Sequence, residues 1–216
     1  MIMRKIILAI SIIVFFLPAK ILATGPPLNS AEGKFKPSGI ISFVPQYFLI
    51  NGLRLDYDLP VNANHWIQMA PVFFYKNTPS DGALATTRNN SQRGAGLHVY
   101  HRYYPADGFG ATKVYLAYGP MYHYNHLQYE ERSPAARPER YTAIHKAGLD
   151  VILGFNTVWS ENMTVDFYFG MGMRHSFISS DADHPKKFND SYIDFGYSGN
   201  VLLIGFRVGF VTGTRP

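Results

Sequence analysis

Beyond residue 24, apolar side chains recur at every second position in one segment after another, and no apolar run approaches the length of a membrane-spanning helix. The final segment is the clearest: Leu202, Ile204, Phe206, Val208 and Phe210 alternate with Leu203, Gly205, Arg207 and Gly209. Met163, Val165, Phe167, Phe169, Met171 and Met173 alternate with Thr164, Asp166, Tyr168, Gly170, Gly172 and Arg174. Segments 146–155 and 53–59 repeat the pattern, and 64–77, 94–104 and 112–126 follow it less cleanly. Successive strand side chains point to opposite faces, so each segment predicts a strand with one greasy and one polar face.

Such strands bury the greasy face in a soluble sandwich or turn it to lipid in a barrel. Three features favour the barrel. Residues 1–23 read as a secretory signal, with Arg4 and Lys5 before an apolar run from Ile6 to Leu17, Pro18 ending it and cleavage expected after Ala23. The greasy faces are rich in Phe, Met and Leu, and the polar faces carry glycines and lone charges. Charged residues make up 16% of the chain and aromatics 15%; water-soluble domains carry about 25% charge. The signal takes Arg4, Lys5 and Lys20 with it and no acid, which leaves 17 Lys and Arg against 15 acids, a net charge of +2. Nothing there makes the basic stripe of a nucleic-acid binder. With no cysteine, disulfides and an N-terminal lipidated cysteine are excluded.

Residues 60–63, 105–111 and 156–160 read as short links, and 78–93, 127–140 and 178–191 as long polar connections rich in turn formers. The expected fold is therefore all-β, an eight-stranded antiparallel transmembrane β-barrel with short periplasmic turns and three longer external loops. Parity requires a strand before the one ending at Leu59; Gly39–Leu49 fits, with Asn51-Gly52 as the turn and a three-residue loop keeping Leu49 and Leu53 on one face. The rival is one unbroken strand through Asn51. The expected organisation is signal 1–23, a flexible periplasmic segment 24–38, the barrel 39–213 and a tail 214–216. Pro45, Pro71 and Pro120 fall in expected strands and call for bulges or a rim above the membrane. Trp66, Tyr103, Tyr104 and Trp159 near the short turns, and Phe73, Tyr75, Tyr122 and Tyr124 near the loops, would form two aromatic girdles.

The stretches PQYFLINGLRLDYDLP at 45–60, GLHVYHRYYP at 96–105, VYLAYGPMYHY at 114–124 and LLIGFRVGFVTG at 202–213 together resemble small outer-membrane barrels of the OmpA/OmpX kind. The last is similar to a barrel-assembly signal, carried here by Gly205, Val208 and Phe210, although Val211 to Pro216 follow where such chains often end. The resemblance implies insertion by the barrel-assembly machinery; it implies no reaction. The expected location is the outer membrane, reached by way of the signal, with outer-membrane lipid as surroundings and a monomeric state.

Small barrels are filled by side chains, and buried charges must pair. The expected lumen network comprises Arg54, Asp56, Asp58, His98, Arg102, Lys146, Asp150, Asp166, Arg174 and Arg207, with Gln68 and Lys113 also pointing inward. A turn at 156–160 sets Asp150 opposite Asp166, with Lys146 or Arg207 between them; the pair could be an acid/base couple or a structural salt network. His98/His101 and His123/His126 are three apart and so split between faces. Lipid A deacylases place His and Ser two apart on one strand, whereas His175 and Ser176 are adjacent, with Ser179 and Asp181 beyond. No residue is assigned to catalysis, a cofactor or a metal. The expectation is a structural or surface-contact barrel without an open pore; the alternatives are a deacylase-like lipid-modifying enzyme and a soluble periplasmic ligand-binding sandwich.

Overall fold

In the computed structural model, residues 37–76, 91–105, 112–130, 139–160, 162–180 and 194–214 are described. The expected signal, residues 24–36 and the centres of three long connections lie outside them. Eight strands run β1 Pro37–Phe43, β2 Gly52–Pro60, β3 His65–Lys76, β4 Ser91–Tyr103, β5 Thr112–Glu130, β6 Glu139–Ser160, β7 Met163–Ser180 and β8 Gly199–Thr214. Each pairs antiparallel with the next, and β1 pairs with β8 through Ile41↔Phe210, so one sheet closes on itself. The two-sheet sandwich is not formed.

Side-chain direction follows the alternation. Leu149, Val151, Phe169, Met171, Met173, Leu202, Ile204 and Phe210 are exposed on the outside, each by more than half. Arg54, Asp56, Asp58, Gln68, Arg102, Asp150, Asp166 and Arg207 are buried inside. A barrel greasy outside and charged within has the polarity of the transmembrane kind, the inverse of a soluble fold.

The hairpin at 39–60 is real but built differently from the expectation. β1 stops at Phe43, and Pro45–Ile50 forms a 3-10 turn ending on Asn51 in the left-handed conformation at φ 56°. Pro45 opens that turn rather than lying in a strand, because proline supplies no ladder donor and its fixed φ suits a first helical position. Phe43 then pairs with Leu55, both facing out.

The other two prolines need no bulge. Pro71 lies opposite Leu97 and Pro120 opposite Leu149 in unbroken register. The missing N–H falls on the other side of each. Pairing of β3 with β2 skips from Arg54↔Val72 to Tyr57↔Met69, and pairing of β5 with β4 skips from His98↔Met121 to His101↔Tyr118, with no register change. Each proline thus costs a short gap in one ladder and leaves side-chain phase intact.

The expected turn at 156–160 is a further correction. β6 continues to Ser160, with a register shift between Val158 and Ser160, and the link to β7 is 161–162. Strands β5 and β6 also run deep into the expected loop 127–140, so the connection 131–138 is no longer than the link 104–111. The walls are uneven: β1 and β2 have 7 and 9 residues, β6 has 22. Spanning needs about 9–11 tilted residues, so the β5–β7 wall extends well beyond the apolar belt.

Candidate functional site

The lumen holds one continuous charged layer. Asp56 on β2 accepts from Arg54 Nε at 2.6 Å and Nη2 at 3.1 Å, from Gln68 at 2.5 Å and from Arg207 Nη1 at 2.8 Å. Arg207 on β8 also donates to Asp166 Oδ2 at 3.0 Å and to the Tyr115 hydroxyl at 2.6 Å. Tyr115 passes its proton toward Asp166 Oδ1 at 2.7 Å. Arg102 on β4 bridges Asp58 and Asp166, both at 2.7 Å, with its guanidinium 3.9 Å from the Tyr115 ring centroid. Three arginines meet three aspartates, so the layer is neutral, and every carboxylate has a guanidinium partner. That satisfies the demand that buried charges be paired, while Asp58 Oδ1, Arg102 Nε and Arg207 Nε are buried without a hydrogen-bond partner.

A second cluster lies toward the loop-bearing end. Asp150 pairs with Arg174 at 2.5 Å and accepts from the Tyr100 hydroxyl at 2.5 Å. Since the single Tyr100 proton goes to Asp150, His98 Nδ1, 2.6 Å from that hydroxyl, must donate to it. A neutral His98 then accepts at Nε2, and His123 Nε2 donates across 2.8 Å. The network assigns these tautomers, and the chain runs His123 to His98 to Tyr100 to Asp150. Arg54, 5.9 Å from the Tyr100 ring, links it to the charged layer.

Asp150 therefore does not face Asp166. Its partner across the ladder is Gly172, and Asp166 lies opposite Asn156 and Arg207. The continuation of β6 through 156–160 moved the register, and each carboxylate found its own arginine. Lys146 sits between neither of them; its ammonium lies 3.5 Å from the Asp194 carbonyl oxygen. Of the expected network, Arg54, Asp56, Asp58, Arg102, Asp166 and Arg207 converge in the layer, His98, Asp150 and Arg174 in the second cluster, and Lys146 stands apart.

Large side chains lie in the lumen on either side of the charged layer. Trp66 and Tyr104, expected in an outer girdle, point inward and are 2% and 0% exposed. They pack edge-on at 6.1 Å, and Tyr104 lies 5.5 Å from Tyr115. Tyr103 and Trp159 do face outward, as do Phe73, Tyr75, Tyr122 and Tyr124. At the opposite end Phe195 packs on Leu127, Ile144 and Phe74. Ser176 holds this segment: its amide donates to Ser198 Oγ and its hydroxyl to the Tyr197 carbonyl, at 2.9 and 3.2 Å.

Glycine makes room for the big interior groups. A Cβ on Gly154 would collide with the ring of its cross-strand partner Tyr115, and one on Gly96 would collide with the His123 imidazole. Tyr115, Tyr100 and His123 join the network beyond the expected residues. Their signal was parity: Tyr115 shares Lys113's face, and Tyr100 and His98 share that of Arg102.

The remaining sequence candidates are dispersed. His175 points out against Phe177, with ring centroids 4.6 Å apart, while Ser176 points in. Ser179 is exposed, and Asp181 lies outside the described residues. Gly205 lies inside against Tyr168 and Gln46, and Val208 and Phe210 lie on the outer face of β8. No group of three potential metal ligands converges among the described residues.

No family model matches the chain, and no curated protein does. Among solved structures it is similar to a major outer membrane protein from Thermus thermophilus, at 12% identity and TM-score 0.46, over 80% of this chain and 97% of that one. It is also similar to Acinetobacter baumannii CarO, at 10% identity and TM-score 0.37, over 82% and 98% of the two chains.

Proposed function

We propose that the chain is an integral outer-membrane β-barrel with a sealed lumen and a structural or surface-contact role. It needs no cofactor, is inserted by the barrel-assembly machinery and stands in outer-membrane lipid as a monomer. The exposed Phe, Met, Leu and Ile belt supports the membrane setting, since so large an apolar surface is untenable in water.

One observation carries the sealed lumen: the neutral layer of three arginines and three aspartates crosses the barrel from β2 and β4 to β7 and β8. Arg102 and Arg207 each reach carboxylates on two different strands, so the layer ties opposite walls together. A water-filled pore would leave these charges solvated and free of such mutual bonding. Trp66 and Tyr104 on one side and Phe195 on the other complete the filling.

The test joins two measurements on the detergent-extracted full chain. Unboiled protein should migrate differently from boiled protein, and planar bilayers containing it should show no discrete conductance steps. Stable single-channel steps would refute the sealed lumen. Recovery as a monodisperse species in detergent-free buffer would refute the membrane setting.

A further inference from the structure

Toward the loop-bearing side, polar and aromatic side chains join the outer face of the tall wall, with Phe177 exposed among them. Arg93 on β4, His126 on β5, His145 on β6 and His175 on β7 all lie on the outward face. Arg93 is the cross-strand partner of His126, and His145 is that of Phe177. Tyrosines fill the spaces between. The Tyr122 hydroxyl is 2.6 Å from His145 Nδ1, the Tyr124 ring is 4.9 Å from the same imidazole, and His126 stacks on Tyr141 at 5.4 Å. These contacts hold the imidazoles at fixed places along the wall.

The height of this band decides what it meets. From Val165 to His175 the strand advances ten residues, which at ~3.3 Å each and a tilt near 40° is about 25 Å along the barrel axis. That is the thickness of the apolar band of an outer-membrane barrel, so His175 stands at headgroup level, and His145, His126 and Arg93 follow it on the next three strands. Met173 and Leu149 just below it are 60% and 55% exposed and purely apolar.

The chemistry of the row is that of a donor surface. A guanidinium and three imidazoles supply N–H donors. Asp56, Asp58, Asp150, Asp166 and Asp194, the carboxylates whose exposure is described, are all buried. Glu130 and Glu139 are partners in the β5–β6 ladder, four residues beyond His126 along β5. The row crosses four adjacent strands, a width of roughly 15 Å at ~4.8 Å per strand, which is too wide for one phosphodiester and suits a headgroup bearing two separated phosphates. Arginine and phosphate are matched in charge and geometry.

We infer that Arg93, His126, His145 and His175 form a docking row for a phosphorylated membrane glycolipid, which lays its headgroup phosphates along the outer face of β4–β7. The inference rests on the outer-membrane reading above. Tyr122 and Tyr124 act as positioning residues that hold His145.

The test uses the full chain in detergent, with bisphosphorylated lipid A as the probe and its dephosphorylated form and phosphatidylglycerol as comparisons. Native mass spectrometry reads the lipid retained. The parent should retain the bisphosphorylated form at least ten-fold better than either comparison. The variant R93Q/H126Q/H145Q/H175Q should lose that preference, while H65Q/H101Q, altered at the other rim, should keep it. If the quadruple variant loses its heat-modifiable migration, the pair R93Q/H175Q carries the test and should show a several-fold loss. Equal retention of phosphorylated and dephosphorylated lipid, or a preference untouched by the substitutions, overturns the docking row. Equal retention of phosphatidylglycerol overturns the choice of a glycolipid. A parent protein that itself shows no heat-modifiable band fails the membrane reading instead, so the two failures are distinguishable.

Discussion

Replacing Asp166 with leucine measures how dry the lumen is. Asp166 accepts from Arg102 at 2.7 Å, Tyr115 at 2.7 Å and Arg207 at 3.0 Å, and the Arg102, Arg207 and Asp166 side chains are 1%, 3% and 4% exposed. Asp166→Leu leaves Arg102 with Asp58 and Arg207 with Asp56, and the layer carries one uncompensated positive charge. Removing one partner from a buried pair costs about 3–5 kcal/mol, whereas an exposed pair is worth about 0–1 kcal/mol. With a urea slope near ~2 kcal/mol/M, a loss of about 4 kcal/mol lowers the unfolding midpoint by roughly 2 M. The assay is reversible urea unfolding in lipid vesicles, followed by tryptophan fluorescence and by the heat-modifiable band. Adding Arg207→Met restores neutrality, so the double variant should recover part of the loss, with a coupling of about 1–3 kcal/mol. A loss below about 1 kcal/mol for Asp166→Leu, with no recovery in the double variant, means that the layer is solvated. The sealed lumen would then be untenable.

Gly154→Val places a side chain against the Tyr115 ring, where even a Cβ would collide; the expected cost is about 1–3 kcal/mol in the same urea assay, and Tyr115→Ala in addition should relieve the clash. Asp150→Leu strands Arg174 and Tyr100, and should destabilise by about 3 kcal/mol with lipid composition unchanged; a lipid mass change that depends on Asp150 in a stably folded protein would instead make it a reacting group. Phe195→Ala removes the ring packed on Phe74, Leu127 and Ile144, and should expose the loop-side lumen to protease and to a polar quencher while conductance stays absent, because the Arg/Asp layer lies below it. Conductance in that variant would show that Phe195 alone is the seal.

The sequence resolved the faces before it resolved the partners. Arg54, Asp56, Asp58, Gln68, His98, Arg102, Asp150, Asp166 and Arg207 are buried, on the face that alternation gives them. The errors concern ends and registers. Pro45 opens a turn instead of interrupting a strand, and β6 runs through 156–160 because Asn156, Thr157 and Val158 pair with Asp166, Val165 and Thr164 on β7. Aromatic character suits Trp66 and Tyr104 to an outer girdle, yet their parity with Gln68 and Arg102 places them inside. Composition misled where phase did not.

By itself, then, the sequence determined that the strands are amphipathic, that one face is greasy and that both signs of charge share the other; these follow from local stereochemistry. Only the tertiary structure decided who meets whom. Arg207 reaches Asp56 across 151 residues and Arg102 reaches Asp166 across 64. Those meetings depend on how far each strand is shifted against its neighbour when the sheet closes into a ring. A single strand's pattern repeats every two residues and carries no record of that shift; closure of all eight strands, with buried charges requiring partners, selects it.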